Sequence, residues 1–379
     1  MKHLIDESFL ASIACGSLYL GSGGGGDTTL LKFMAKQAIR EHGPIPLVSP
    51  FHFPEEEWAI PVGIMGSPTI LSEKLPSGQE LKQVLSDLEQ EKKIVATALT
   101  GLEIGGMNAI APILAGALNR LPVLDADGMG RAFPEIHMTT FHAYGVQASP
   151  FMMRNEAGMK TCLCHPSNQE IEIQSRRHVA EMGGWAAIAC YAMRGREVQE
   201  TGILHSFSLA KRLGDAVMAA GADVHRVIAS LTRTFQNSIY GTPIKMIEGQ
   251  VVDLQRDIVE GIVSGRIIVE GSGYDSGEQA EVLFQNEYLL VKLRKHNAVT
   301  VPDLIAVLDA DTGYPISIEE LEHHMRVFVI AIPSPSVIRN PKMLDFVAPE
   351  HFGLNGDFKP VDKLVFREGG GLANAASRN

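Results

Sequence analysis

Two aspartates two residues apart, Asp125 and Asp127 in the stretch LDADGMGRAFPE, follow the apolar run LPVL and precede Gly128 and Gly130. On an extended segment, positions i and i+2 point to one side. The two carboxylates could therefore share a divalent cation or a polar ligand, or one could act as a general base. Glu135 and His137, a little further on, add oxygen and nitrogen donors, so that Asp125, Asp127 and His137 form a candidate metal set and Asp125, Asp127 and Glu135 candidate catalytic acids. The D-A-D-G fragment lacks the third acidic position and the closing glutamate of a calcium loop. The alternative is a solvated turn whose aspartates bond backbone amides.

A fourth carboxylate and candidate catalytic acid, Glu103, sits in GLEIGGMN after the strand-like run VATAL. Asn108, at the end of that stretch, could cap the following helix while the glycines bare their amides to an anion. The third feature is GSGGGGD, Gly21 to Asp27, with four consecutive glycines ahead of the amphipathic run LLKFMAKQAIREH. Glycine accepts positive φ and leaves the amide open to a ligand, and Asp27 with Thr28 and Thr29 reads as a helix start. Gly23, Gly24, Gly25, Gly26 and Asp27 are therefore candidate substrate contacts, with Asn108 and Arg131. A tight packing turn is the competing reading. The lysine of a P-loop is missing, as is the acidic residue of a dinucleotide fingerprint.

Three further groups carry less. CLCH, Cys162 to His165, has no second ligand pair at zinc spacing, which favours buried cysteines over a thiolate nucleophile or soft ligand. His178 and Glu181 share a helix face and could complete an acid/base or metal set with the Asp125-loop carboxylates, but a surface ion pair among Arg176, Arg177 and Glu181 is the simpler reading. His323 and His324 fall in IEELEHHMR, read as an acidic, solvated helix.

The elements that would position these residues alternate. WAIPVGIMGSP, SGQELKQVLSDLEQE, KIVATALTGLEIGG, NAIAPILAGALNR and LPVLDADGMG read as strand, helix, strand, helix, strand. That order predicts an α/β N-terminal domain, a mixed sheet flanked by helices, with the loops at Gly66 to Pro68, Glu103 to Asn108 and Asp125 to Arg131 gathered at one sheet edge. From Ser175 the pattern reads as helical, with GGWAAIACYAM as a buried helix. Residues 1–242 are assigned to this domain and its helical extension. Residues 243–345 read as a compact β-rich domain, and the tail, 346–379, is expected to return through VDKLVF to the first domain, with its last dozen residues mobile or packed locally.

The totals bound the function. A chain of 379 residues, 45% hydrophobic and 20% charged, can hold two folded domains. A net charge of −11 without a basic stripe argues against nucleic acid and leaves a small-molecule substrate as the default partner. No run of eighteen apolar residues and no signal peptide is evident, and four irregularly spaced cysteines suit a reducing cytoplasm. A closed homo-oligomer is the ordinary expectation for an enzyme of this size.

Taken in order, SLYLGSGGGGD, EIGGMN, LDADGMGRAFPE, a helical stretch and a β-rich segment ending near IPSP resemble the bacterial S-methyl thiohydantoin desulfurase family, over nearly the whole chain. The resemblance implies an α/β N-terminal and a β-rich C-terminal domain. It also implies hydrolysis of the carbon–sulfur bond of an S-methylated thiohydantoin to a hydantoin and methanethiol. The motif-bearing positions carried over as site residues are Gly23 to Asp27, Glu103, Asn108, Asp125, Asp127, Arg131 and Glu135. Whether a divalent metal takes part stays open, as does the alternative that the protein is a non-catalytic accessory subunit of a hydantoinase-type enzyme.

Overall fold

The computed structural model describes residues 3–259, 262–367 and 371–374. The chain forms two compact units, Met1–Ser17 with Gly25–Gly214, and Leu18–Gly24 with Asp215–Asn379. The boundary between them falls inside the glycine run.

In the first unit the strands include β1 (His3–Ile5), β2 (Ile45–Val48), β3 (Trp58–Gly66), β4 (Ala96–Gly101), β5 (Val123–Leu124), β6 (Ala126–Asp127), β7 (Phe151–Arg154), β8 (Lys160–Leu163) and β9 (Trp185–Ala189), with the two-residue strands Met193–Arg194 on β3 and Ile203–Leu204 on β6. The main sheet runs in the order β1-β2-β5-β4-β3-β9-β7-β8. Its centre, β2, β5, β4 and β3, is parallel. The flanking pairings are antiparallel, so the sheet is mixed as the alternation predicts. Helix Gln79–Lys92 connects β3 to β4, and helix Ala111–Asn119 connects β4 to β5. Because these strands run parallel, the segments after β4 and β5 leave from one sheet edge, where open α/β sheets place their ligands.

GGWAAIACYAM is not a helix. Trp185–Ala189 is a fully buried strand between β3 and β7. An all-apolar run this short has no period that separates helix from strand, and the local backbone decides it. The preceding helix, Asn168–Glu181, ends before Gly183 and Gly184, which take φ of 96° and 102°. IEELEHHMR is not helical either: turns fill it, His324 sits at φ 70°, and its amide donates to the Val251 carbonyl.

The second unit is built on an antiparallel sheet. Its strands follow the order His296–Thr300, Glu287–Leu293, Gln279–Gln285, Ile262–Gly271, Ile244–Val259, Arg326–Ile332, Leu304–Asp309. Alternation brings Val251, Ile267, Val269, Val282, Val291, Val307 and Val329 into one apolar core. Val361 is buried in that core, its amide donates to Asp303, and Asp362 pairs with Arg339. This part of the tail therefore packs on the C-terminal sheet in place of the expected return to the first domain. The expectation for the last dozen residues falls mostly outside the described residues. Among the described residues no helix is long and apolar enough to cross a membrane.

Candidate active site

The segments after β4 and β5 meet: the Gly128 amide donates to the Leu102 carbonyl at 3.0 Å. This brings together two of the expected carboxylates, Glu103 and Asp127, both almost completely buried. Asn108 does not cap a helix. Its side chain forms a two-point clamp on β3, accepting from the Ile64 amide at 2.7 Å and donating to the Ile64 carbonyl at 3.0 Å. From that fixed position Nδ2 also donates to Glu103 Oε1 at 2.6 Å. Asp127 Oδ2 accepts from the amides of Met129 at 3.0 Å and Gly130 at 2.7 Å. Glu103 Oε2 and Asp127 Oδ1 are buried without a hydrogen bond of good geometry among the described residues, as is the Ser206 hydroxyl beside Asp127.

Burial dominates the electrostatics. It drives the Glu103 carboxyl up to about 8, and ionised Asp127 adds to the rise; the Asn108 side chain and the Phe133 amide oppose it. Burial also lifts Asp127 to about 7 against the pull of the Gly130 and Met129 amides. Burial thus favours the protonated form of both carboxyls, of Glu103 more than of Asp127.

Asp125 faces a different set of partners. It accepts from the Ser208 amide at 2.9 Å and the Ser208 hydroxyl at 2.5 Å, and His205 Nδ1 lies 3.5 Å away. The hydrogen bond to Asp125 raises the His205 pKa. His205 itself sits at φ 66°, a strained backbone held by its amide's bond to the Asp125 carbonyl. The spacing of Asp125 and Asp127 thus does not produce a shared ligand pair. Glu135 pairs with His137, Oε2 to Nε2 at 3.1 Å, and burial with the nearby Glu172 raises the Glu135 carboxyl. Among the described residues, Asp125, Asp127 and His137 do not come together as a group of ligand atoms within 4.8 Å. As they stand they do not fit one shared ion.

Arg131 is buried, donates Nε to the Ala132 carbonyl and lies over the Phe133 ring at 4.9 Å. The Glu135 to His137 segment is held from helix Asn168–Glu181, where Glu172 Oε2 accepts from the Ile136 amide and Arg176 donates to both Glu172 and the Pro134 carbonyl. The Tyr191 hydroxyl donates to the Ile136 carbonyl at 3.0 Å from a residue at φ 48°. Burial lowers His142 to about 4, so its neutral ring accepts from Asn168 at 2.9 Å.

In the glycine run, the approaching backbone belongs to the protein itself. A Cβ on Gly23 would lie 2.3 Å from the Tyr288 ring, one on Gly24 2.5 Å from the Asn286 carbonyl, and one on Gly25 2.6 Å from the Gly105 carbonyl. The Gly25 carbonyl accepts from the Met107 amide, which ties the run to the Glu103 segment. Asp27 accepts from the Thr29 amide and hydroxyl just ahead of the next helix, whose N-cap residue is Thr28. The Gly66 loop packs on Gly184 and Trp185.

Several neighbours of these carboxylates escaped sequence reasoning. His205, Ser206 and Ser208 join through a two-residue pairing of β6 with Ile203–Leu204, too short to carry a period. Tyr191 and Glu172 lie far along the chain and have no motif around them. His178 pairs with Glu181 at 3.0 Å, while Arg176, expected beside Glu181, pairs with Glu172. Cys162 and Cys164 are exposed rather than buried, and partial burial with the adjacent thiol pushes Cys162 up to about 12, against a thiolate nucleophile.

An α/β domain with a mixed sheet and a buried acid pair, followed by a domain built on an antiparallel sheet, defines a two-domain class. The S-Me-THD-like N-terminal domain matches residues 8–164 and the S-Me-THD-like C-terminal domain residues 166–361, and the chain belongs to this family, the one its ordered motifs resemble. The X-ray crystal structure of a protein from Chromobacterium violaceum is similar, with a TM-score of 0.80 and 21% identity over 95% of this chain and 100% of that one. At that identity the likeness is one of fold. No curated protein matches the sequence.

Proposed function

We propose that the N-terminal domain carries a hydrolytic site for a cyclic ureide-like small molecule, cleaving the carbon–sulfur bond of an S-methyl thiohydantoin to give a hydantoin and methanethiol. The observation that supports this most is the closeness of two buried carboxyls, Glu103 and Asp127, which burial raises to about 8 and about 7. Such separation of two neighbouring acids suits one to donate and the other to accept a proton near neutral pH. Family membership supports the substrate class.

In this reading Asp127 takes a proton from water as its oxygen adds to the ring carbon bearing sulfur, while Glu103 protonates the ring nitrogen. Collapse of the adduct returns the hydroxyl proton to Glu103, and Asp127 gives its proton to the departing sulfur. Asn108 aims Glu103, and Arg131 is assigned to the substrate's carbonyl or carboxylate. Asp125 positions the His205 to Ser208 segment beside Asp127.

The test is methanethiol release from a panel of S-methyl thiohydantoins by the purified protein, with and without a chelator. Release that survives chelation is expected. No release across the panel would overturn the reaction, and release abolished by chelation would overturn the metal-free proton relay.

A further inference from the structure

A second cluster with ligand chemistry lies at the other end of the N-terminal sheet, on its edge strand β8. Cys162 is in that strand and Cys164 just beyond it, and both are exposed. Alternation turns Leu163 between them into the core, 6% exposed, and leaves the two sulfurs on one outer face, 3.6 Å apart. The Glu91 carboxylate joins them, with the three ligand atoms within 4.8 Å of one another.

The placement of Glu91 is held from below. Asp87, four residues earlier on helix Gln79–Lys92, is buried and receives Arg154 at 2.8 Å from β7 and Lys160 at 3.0 Å from β8. Residues four apart share a helix face. The bonds that clamp Asp87 onto the β7–β8 hairpin therefore carry Glu91, one turn on, to the thiols.

The separation of the two reduced thiols suits a shared ion. Two thiolates at about 2.3 Å from one tetrahedral zinc ion stand about 3.8 Å apart, close to the separation here. A carboxylate oxygen is an accepted third zinc ligand, and an exposed edge leaves the fourth position to water.

We propose that Cys162, Cys164 and Glu91 form a binding site for a thiophilic divalent cation, zinc by preference, separate from the Glu103–Asp127 pair. Binding exchanges the two thiol protons for the metal, whose charge the two thiolates balance, and the Glu91 carboxylate leaves the site with one net negative charge. The sequence hides the third ligand, because Glu91 lies on a helix far from CLCH and is brought to it by the Asp87 clamp.

The test is anaerobic titration of the reduced, metal-free full chain with cobalt(II) as a spectroscopic stand-in for zinc. One cobalt per chain is expected, with a thiolate-to-cobalt charge-transfer band that zinc abolishes. Cys162→Ser and Cys164→Ser should each lose that band while keeping the wild-type melting temperature, since both side chains are exposed. Glu91→Gln should weaken binding by about tenfold or more. Absence of the band in the reduced wild type would overturn the site. So would its persistence at full intensity in the double serine variant, which would place the metal at Cys15 or Cys190.

Discussion

Asn108 shows how one side chain can set the chemistry of another. Its amide is immobilised by both backbone groups of Ile64, so the remaining N–H reaches Glu103 from a fixed direction. Glu103 is then a buried acid whose neutral form the fold favours. In the window between its ordinary value of 4.5 and about 8, the folded chain holds a proton that the unfolded chain has released. Stability contributed by that proton is complete below the lower value and is lost as pH rises through the upper one. Glu103→Gln, which cannot ionise, is therefore expected to melt above the wild type at alkaline pH, by a few kcal/mol in order of magnitude, and close to it at pH about 5. Melting curves across this range check it; an equal alkaline decline in both proteins would contradict the assigned burial. The sequence exposes Glu103, Asp125 and Asp127 as candidates through their place after apolar runs, but not which two would pair. Asp125 is taken up by Ser208 and His205, and that depends on a contact 83 residues away in the chain.

At the scale of elements, the parallel strands β3, β4 and β5 are legible because they end at or just before Gly66, Gly101 and Asp125, and helix Gln79–Lys92 because Leu81, Val84, Leu85 and Leu88 form a 3.6-residue apolar stripe. The buried strand β9 is not, since it is apolar on every side, and burial on both sheet faces removes the alternation that marks a strand. The two glycine turns that meet at the Glu103 segment are legible as turns, but not as partners. Gly106 stands at φ 64°, and a Cβ there would lie 2.3 Å from the Gly25 carbonyl. Both the conformation and the space exclude a side chain, so Gly106→Ala is expected to cost on the order of 2–4 kcal/mol and to displace Asn108. Gly145, at φ 92° with open space around its Cβ position, isolates the conformational part, and its alanine variant should cost about 1 kcal/mol. Equal melting temperatures for the two variants would show that the close approach of the two turns contributes nothing.

Across the whole molecule, the alternating first half and the strand-rich second half are visible in composition and pattern alone, and the family assignment agrees with both. The tail shows where pattern reading stops. Val361 belongs to the C-terminal core because Asp303, buried under Arg339 and Ser334, accepts its amide, a long-range bond that no local period announces. The central claim is that the Glu103–Asp127 pair moves the protons of a carbon–sulfur hydrolysis. Its most direct test is the rate of methanethiol release from an S-methyl thiohydantoin, measured from pH about 6 to about 9 for the wild type, Glu103→Gln and Asp127→Asn. The account predicts a bell-shaped kcat/KM for the wild type, its limbs near the values of about 7 and about 8, and a loss of about two orders of magnitude or more in each folded variant. A wild-type rate flat across that range, or a variant that turns over at the wild-type rate, would contradict it.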